Sequence, residues 1–361
     1  MEKKLNTYKS SQNDSTSFVT KIFSTTMHKI NKKKLVAIIG WIISIALLIS
    51  LFANMNINVL VSHMVKANWI WLAMAAITSL IVVCIKSYRW QLIMDPEKKY
   101  GKRRNSFWLI CKVTFMGFAG NSLLPARGGD WLKIYLLGKW KNMSKASLAS
   151  VTALDKISDG ISILLLFGLF ALYAVLLGQH HTYPTWVKTG SIIVSIVIIV
   201  SLGICAGLLI YHKRTRKKTE LGQIATLIQK LGAGMNMLSR KKIVLATILI
   251  SLVSSLLQIL TIWMCQMAFN IDMAPWIPAV IFIAINLAII IPSAPSGIGP
   301  FEAAGVLAYT WIGLKTETAF NISFMYHAVQ FIPVTLIGMS FYFKSGLAKK
   351  RYNGKLVVGR Q

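Results

Sequence analysis

Acidic residues are scarce in this sequence. Its 361 residues include only 11 Asp and Glu, against 40 Lys and Arg. Charged residues make up 14% of the chain and hydrophobic residues 55%, whereas a soluble domain of this size carries about 25% charged residues. So little charge in so apolar a chain excludes an ordinary soluble domain and predicts a polytopic membrane protein.

The net charge of +29 does not by itself indicate a nucleic-acid-binding protein. The basic residues cluster between apolar runs, and no nucleic-acid-binding motif accompanies them. Cytoplasmic loops of membrane proteins are enriched in Lys and Arg, and this rule explains the distribution better. We therefore expect no nucleic-acid partner.

Cysteine is also rare, and common enzyme signatures are missing. The four cysteines lie in or beside apolar runs without CxxC spacing, so neither a disulfide framework nor a zinc site is expected. No Walker A, HExxH or GxSxG motif occurs. We expect no metal, no cofactor and no catalytic residue, which disfavours an enzyme without excluding one.

Charge divides the chain into three parts. A basic segment, 1–34, and a second one, 344–361, flank an apolar region, 35–343, and both are predicted to be cytosolic tails, the first disordered. A run of roughly 20 apolar residues crosses a bilayer. Six such runs are predicted to be full spans: 35–55, 67–85, 148–177, 189–211, 243–270 and 318–343.

Two further apolar segments are broken. The first, GFAGNSLLPARGGDWLK, contains Pro125, Gly128 and Gly129; the proline removes a backbone donor, and the glycines are expected to loosen the chain. The second, PSAPSGIGPFEA, contains a similar set. Irregular backbone at membrane depth is tolerated only inside protein or beside a wet cavity, so both segments indicate a binding site. The residues predicted to break the second segment are Pro292, Pro295, Gly297 and Gly299.

The predicted elements suggest that the chain consists of two halves with the same order of elements. That order is span, span, hairpin and span, and it occurs in residues 35–178 and again in residues 189–343. Three crossings per half would orient the halves oppositely, which is the inverted-repeat arrangement of transporters. The predicted fold is an all-α polytopic membrane protein with about six full spans, two broken or re-entrant helical hairpins and inverted repeats. Basic loops, among them one predicted at 86–104, place both termini in the cytoplasm and the protein in the cell membrane.

Ionisable residues in the apolar region form the candidate substrate-binding site. Charges at membrane depth are costly and are commonly functional. Asp155 and Asp159 are four residues apart and share a helix face. There are two alternatives to a functional role. The charges pair with one another and only hold the hairpins in place, or they lie at helix ends and reach water. For His327, within a predicted span, packing and proton handling remain equally open. The candidate residues are Asn121, Arg127, Asp130, Lys133, Asp155, Lys156, Asp159 and Glu302.

The two broken segments resemble the motifs of a known family. The first is similar to G-x-x-x-N-x-x-x-P-x-R-x-G-D, and the second to P-x-x-P-x-G-x-G-x-x-E, of the lysylphosphatidylglycerol synthase transmembrane (flippase-like) family. The resemblance extends over the apolar region and implies a membrane protein that moves or handles a polar lipid. Full-length synthases also carry a soluble aminoacyltransferase domain, which is not expected here.

The resulting hypothesis is a flippase or transporter for a lipid with a polar phospho- or glyco-headgroup. The alternative is the membrane part of a phosphatidylglycerol lysyltransferase or of a polyprenyl-phosphate-sugar transferase system, which would need a separate transferase enzyme as partner. In either case the expected ligand is a membrane lipid.

Overall fold

A computed structural model describes residues 32–53, 55–94, 106–124, 128–177, 241–290 and 293–345. Most of both tails and the predicted span 189–211 lie outside these residues. Four residues of the broken segments also lie outside them: Pro125, Ala126, Arg127 and Pro292.

Ten α-helices and one short 3-10 turn form the regular structure of the described residues, in which no strand occurs. The predicted all-α class is therefore confirmed. In chain order the helices are α1 (Lys32–Phe52), α2 (Ile57–Val65), α3 (Trp69–Met94), α4 (Phe107–Leu123), α5 (Gly128–Lys141), α6 (Lys145–Leu177), α7 (Lys241–Ala268), α8 (Ile277–Ala288), the 3-10 turn (Pro295–Gly297), α9 (Pro300–Trp311) and α10 (Thr316–Lys344).

Three helices, α3, α7 and α10, are long and apolar enough to cross a bilayer. Helices α1 and α2 form a fourth candidate, bent by 91°. Asn56 starts α2 at this bend, because its side-chain oxygen accepts a hydrogen bond from the N–H of Asn58 at 3.1 Å. A helical membrane protein with several apolar helices is thus confirmed, while the number of six full spans stays a prediction.

Helix α3 is longer than the predicted span 67–85. A basic loop was expected to begin at Lys86, but the helix continues to Met94, so that boundary is wrong. Trp90 and Met94 maintain the apolar spacing of a helix face beyond the lysine, and both are buried. As a result, Lys86 and Arg89 lie on a helix within the bundle and not in a loop.

Helices α4 and α5 form the first predicted hairpin. The two helices run antiparallel, since Gly117 lies against Lys133 and Gly120 lies against Gly129. A Cβ built at Gly120 would be 2.8 Å from the Cα of Gly129, so the two backbones touch. The helices have 17 and 14 residues. At about 1.5 Å per residue, each is shorter than the roughly 20-residue helix that crosses a bilayer.

Gly129 allows the two helices of this hairpin to pack closely, because it has no side chain. The glycine pair was expected to provide backbone freedom, and this reason is wrong, because both glycines lie in α5 and neither has a positive φ. A Cβ on Gly129 would collide with the carbonyl oxygen of Gly117 and the amide nitrogen of Asn121. The close approach of the two helices therefore requires glycine.

We expect Gly129→Ala to separate α4 from α5 and to lower the free energy of unfolding by about 1–3 kcal/mol or more, as overpacking does. Gly160 on α6 is a matched control, because no atom lies within 4 Å of a Cβ built there. Gly160→Ala should leave stability unchanged or raise it by about 0.5–1 kcal/mol. Thermal unfolding in detergent tests both variants, and equal unfolding temperatures would contradict the predicted contact.

Helix α8, the 3-10 turn and α9 form the second broken segment. Pro295 begins the turn, and Gly297 and Gly299 have φ of +84° and +97°, a region that favours glycine. Gly299 also packs on α1, where a Cβ would be 2.8 Å from the Cα of Ser44. Pro300 then starts α9, since its fixed φ suits a first helical turn. These residues break the helix as predicted.

The two hairpins are packed into one bundle with the long helices. Helix α3 packs along α7, α4 packs along α10, and α8 contacts α6. Gly338 of α10 makes the second contact close, because a Cβ there would collide with the carbonyl oxygen of Phe115 on α4. Each hairpin thus contacts the last helix of the opposite predicted half, and the ends of both broken segments come together inside the bundle.

Candidate functional site

A buried cluster of ion pairs joins α3, α6 and α7. Arg89 of α3 is fully buried. Its Nε donates to Oδ1 of Asp155 at 2.8 Å, and its Nη1 donates to Oδ1 of Asp159 at 2.7 Å. The same Nη1 donates to Oγ of Ser251 on α7 at 2.6 Å. One guanidinium therefore bridges two carboxylates on one face of α6, the geometry for which the Arg fork is suited.

Two lysines reach the same cluster without forming a hydrogen bond. Nζ of Lys86 lies 3.7 Å from Oδ2 of Asp159, and Nζ of Lys133 lies 3.9 Å from Oδ2 of Asp155. Hydrogen bonds of this kind are about 2.7–3.2 Å long, so these contacts are Coulombic only. Lys133 also lies 4.1 Å above the ring of Trp90. Among the described residues, neither ammonium group has a hydrogen-bond acceptor.

The first hairpin contributes a carboxylate and an amide to the cluster. Oδ1 of Asn121 accepts from the N–H of Asp130 at 3.2 Å, and Nδ2 donates back to Oδ1 of Asp130 at 3.4 Å. The other oxygen of Asp130 lies 3.3 Å from Nζ of Lys156 on α6. The Lys156 side chain is 42% exposed, so this ion pair closes the cluster at its margin.

These groups surround a polar cavity of about 40 Å³. That volume holds about one water molecule. Four basic side chains and three acidic ones form the cluster, which leaves one positive charge in excess. The described residues that line the cavity are Lys86, Thr114, Gly117, Phe118, Asn121, Asp130, Lys133, Asp155, Lys156 and Asp159.

A second buried pair lies at the other broken segment. Oε1 of Glu302 on α9 is 2.6 Å from Nδ1 of His327 on α10, and Oε2 accepts from the N–H of Gly299 at 2.7 Å. The carboxylate thereby caps the first turn of α9, where negative charge is favoured. The ring of Phe301 stacks on the imidazole at 4.2 Å between centroids.

Ser122, next to Asn121, connects the two broken segments. Its carbonyl oxygen accepts from Oγ of Ser296 in the 3-10 turn at 3.4 Å, and its hydroxyl accepts from Oγ1 of Thr335 on α10 at 3.0 Å. Ser122 thus lies between Asn121 at the polar cavity and the 3-10 turn that precedes Glu302.

Comparison with known proteins agrees with these motifs. A sequence model described as the lysylphosphatidylglycerol synthase TM region matches residues 37–338. The chain belongs to this family. A UPF0104 membrane protein of Methanothermobacter thermautotrophicus is 22% identical over 308 residues, which cover 79% of this chain and 89% of that protein. Another from Methanocaldococcus jannaschii is 21% identical over 314 residues, or 82% and 91% of the two chains.

Six of the eight candidate residues, Asn121 among them, line the polar cavity of this family member. Asp130, Lys133, Asp155, Lys156 and Asp159 share the polar cavity. Glu302 lies in the second cluster, and Arg127 is outside the described residues. The expectation that both broken segments form one binding site stays a prediction; among the described residues, Glu302 contacts Gly299 and His327.

Sequence reasoning missed Lys86, Arg89 and Ser251. The two basic residues were assigned to a loop because a charge usually ends an apolar run. The buried Trp90 and Met94 were the available signal, since they continue the helical spacing of α3. Ser251 gave no signal, because a hydroxyl within an apolar helix can bond to its own backbone, as this one also does with Thr247.

Proposed function

We propose that this protein is a lipid flippase or transporter that binds a phosphate-containing headgroup in the polar cavity. The observation that supports the proposal is a pair of lysines at the cavity, the half-buried Lys86 and the buried Lys133, whose ammonium groups have no hydrogen-bond acceptor among the described residues. Each ammonium group carries three donors. Phosphate oxygens are strong acceptors, and lysine is a common phosphate ligand.

The charge balance of the cluster favours an anion. Arg89 donates short hydrogen bonds to Oδ1 of Asp155 and of Asp159, and its single charge offsets one of these two carboxylates. The three lysines of the cluster then face one remaining carboxylate and Asp130, so one positive charge is in excess. An anionic headgroup would neutralise this excess and satisfy the donors, whereas a cationic headgroup would add to it.

Entry of a headgroup requires the first hairpin to move, because the cavity holds no more than about one water molecule. The contact that closes it is the ion pair between Asp130 and Lys156, whose side chains are 23% and 42% exposed. Exposed pairs contribute only about 0–1 kcal/mol. Breaking this ion pair is therefore inexpensive, and the lipid tails would remain in the bilayer while the headgroup enters.

The proposal places the protein in the cytoplasmic membrane with both termini inside the cell, as the basic loops indicate. A cysteine introduced at Ser345, which is exposed at the end of α10, would then be labelled only from the cytoplasmic side. Labelling from outside alone would reverse the orientation.

Purified protein in liposomes tests the proposed activity. Fluorescent phosphatidylglycerol in the outer leaflet should become protected from a membrane-impermeant quencher much faster than in protein-free liposomes, with no acceptor substrate present. The same assay with a labelled diacylglycerol, which lacks the phosphate, is the specificity control. Equal rates with and without protein would contradict the proposal.

The name of the matching family supports one alternative, the membrane part of a lipid aminoacyltransferase system. In that case a separate transferase enzyme would be the partner, and the cavity would hold phosphatidylglycerol as acceptor. Formation of a modified lipid, seen only when membrane protein and transferase are combined, together with no lipid movement by this protein alone, would favour the alternative.

A further inference from the structure

We propose that the Glu302–His327 pair is a proton-binding site that couples proton movement to the transport of the lipid. This inference rests on the proposed function, and it concerns a cluster separate from the polar cavity. Both side chains lie deep in the bundle, with 4% and 11% of their surface exposed.

The geometry fits a site that binds one proton. With a proton on Nδ1, the imidazole donates to Glu302, and Nε2 has a free lone pair; among the described residues no hydrogen-bond partner faces that nitrogen. A proton from water binds at Nε2 and forms an imidazolium–carboxylate pair with no net charge. Release of the proton returns a neutral imidazole beside a carboxylate, with a net charge of −1.

The surroundings make the two states differ in energy. A net charge in an apolar interior is costly, whereas a neutral ion pair with good hydrogen bonds is better tolerated. Phe301 stacks on one side of the imidazole ring, and Phe331 contacts it edge-on at 5.8 Å. The N–H of Gly299 and the N-terminus of α9 stabilise the carboxylate in both states. The pair can therefore carry the proton without leaving an unpaired cation.

Other titratable groups near the pair are phenols and a thiol, which ordinarily stay protonated at neutral pH. Tyr326 lies 5.5 Å from Phe301 between ring centroids, and it interacts electrostatically with Cys265. The charged side chains on the packed helices are engaged elsewhere or lie at helix ends. On α3 they are Lys86 and Arg89, in ion pairs with Asp155 and Asp159. On α4, Lys112 lies above the rings of Trp108 and Phe341. The others lie at helix ends: Lys32, Lys33 and Lys34 in α1, Lys241 and Lys242 in α7, and Glu317 and Lys344 in α10.

The turn held by Glu302 provides a physical connection to the cavity. Gly299 caps α9 two residues after the 3-10 turn, which contains Ser296 at φ +67°. That conformation is unfavourable for a residue with a Cβ and persists only where its surroundings impose it. Ser296 contacts Ser122, and the adjacent Asn121 binds Asp130 at the closing ion pair of the cavity. A change in the charge on the Glu302–His327 pair therefore acts on a strained turn that touches the first hairpin.

Liposomes with an imposed pH difference test the coupling. One pH unit should bias the leaflet distribution of labelled phosphatidylglycerol by up to about tenfold for each proton carried. A dye inside the liposomes should report proton movement that depends on the lipid. In His327→Gln, where an amide can still donate to Glu302, lipid movement should continue but lose the dependence on pH difference. His63→Gln, on α2, removes a histidine elsewhere and should behave as the wild type.

A second measurement does not depend on transport. In detergent, nuclear magnetic resonance of histidine-labelled protein should show one imidazole that titrates in wild type and is missing from His327→Gln. Wild-type lipid movement that ignores the pH difference, with no lipid-dependent proton movement, would overturn the coupling and leave the flippase proposal intact. Absence of lipid movement in wild type would remove both proposals. An imidazole of His327 that does not titrate would overturn the proton site whatever the transport assay shows.

Discussion

Arg89→Met is expected to lower the free energy of unfolding by about 3–5 kcal/mol, the largest effect on stability of any single change considered. Arg89 is fully buried and holds Asp155 and Asp159 at 2.8 and 2.7 Å. Without it, the buried Asp155 and the half-buried Asp159 keep only the longer contacts to lysine. Thermal unfolding in detergent, followed by loss of the monodisperse peak in size-exclusion chromatography, measures the change.

Two further variants separate lost charge compensation from lost packing. Adding Asp155→Asn and Asp159→Asn to Arg89→Met should recover a large part of the stability, because the neutral amides no longer need a cation. Lys156→Met is the matched control for loss of a basic residue at the margin and should change stability by no more than about 1 kcal/mol. An Arg89→Met protein as stable as wild type would mean that the cluster is open to water.

The largest effect on transport is expected from the two lysines of the cavity. Each hydrogen bond from an ammonium group to a phosphate is worth about 1.5–3 kcal/mol, so Lys86→Met and Lys133→Met should each slow lipid movement about ten- to hundredfold. Because both lysines contact one ligand, the double variant should reach the rate of protein-free liposomes. Methionine keeps the unbranched shape of lysine, which limits the loss of packing.

Lys112→Met is the control for these variants. Lys112 lies on α4 above the rings of Trp108 and Phe341, away from the cavity. Its loss should leave lipid movement within about twofold of wild type, because Lys112 does not line the cavity. Equal slowing by all three lysine variants would mean that only the total positive charge matters and that the cavity is not the binding site.

Some charged residues of the site could be predicted from the sequence and others could not, depending on whether their role rests on local or non-local contacts. Asp155 and Asp159 were found because two carboxylates four residues apart share a helix face whatever the tertiary structure. Arg89 was missed because its role depends on α3 and α6 being neighbours, a non-local fact, and because a charge was taken as the end of a span.

For Gly129, the sequence identified the correct residue but predicted the wrong role. Gly129 was identified, but its role is the contact with Gly117 across the hairpin, which only the packing of two helices reveals. Glu302 was a candidate for substrate binding because of its charge in an apolar segment, and that role stays a prediction. The sequence could not show that His327, 25 residues later, would provide its partner. The helices themselves were more predictable, since apolar runs and proline or glycine breaks are local signals.

Binding of a short-chain lipid to the detergent-solubilised protein tests the phosphate site most directly, because it requires neither transport nor orientation. A ligand that binds only the folded state stabilises it by about 2.7 kcal/mol at a hundred times its Kd. Short-chain phosphatidylglycerol should therefore raise the unfolding temperature of wild type and of Lys112→Met, while a short-chain diacylglycerol without phosphate should not. The double variant Lys86→Met/Lys133→Met should show no rise with either lipid. A rise in the double variant equal to that of wild type, or no rise in wild type, would contradict a phosphate site in this cavity.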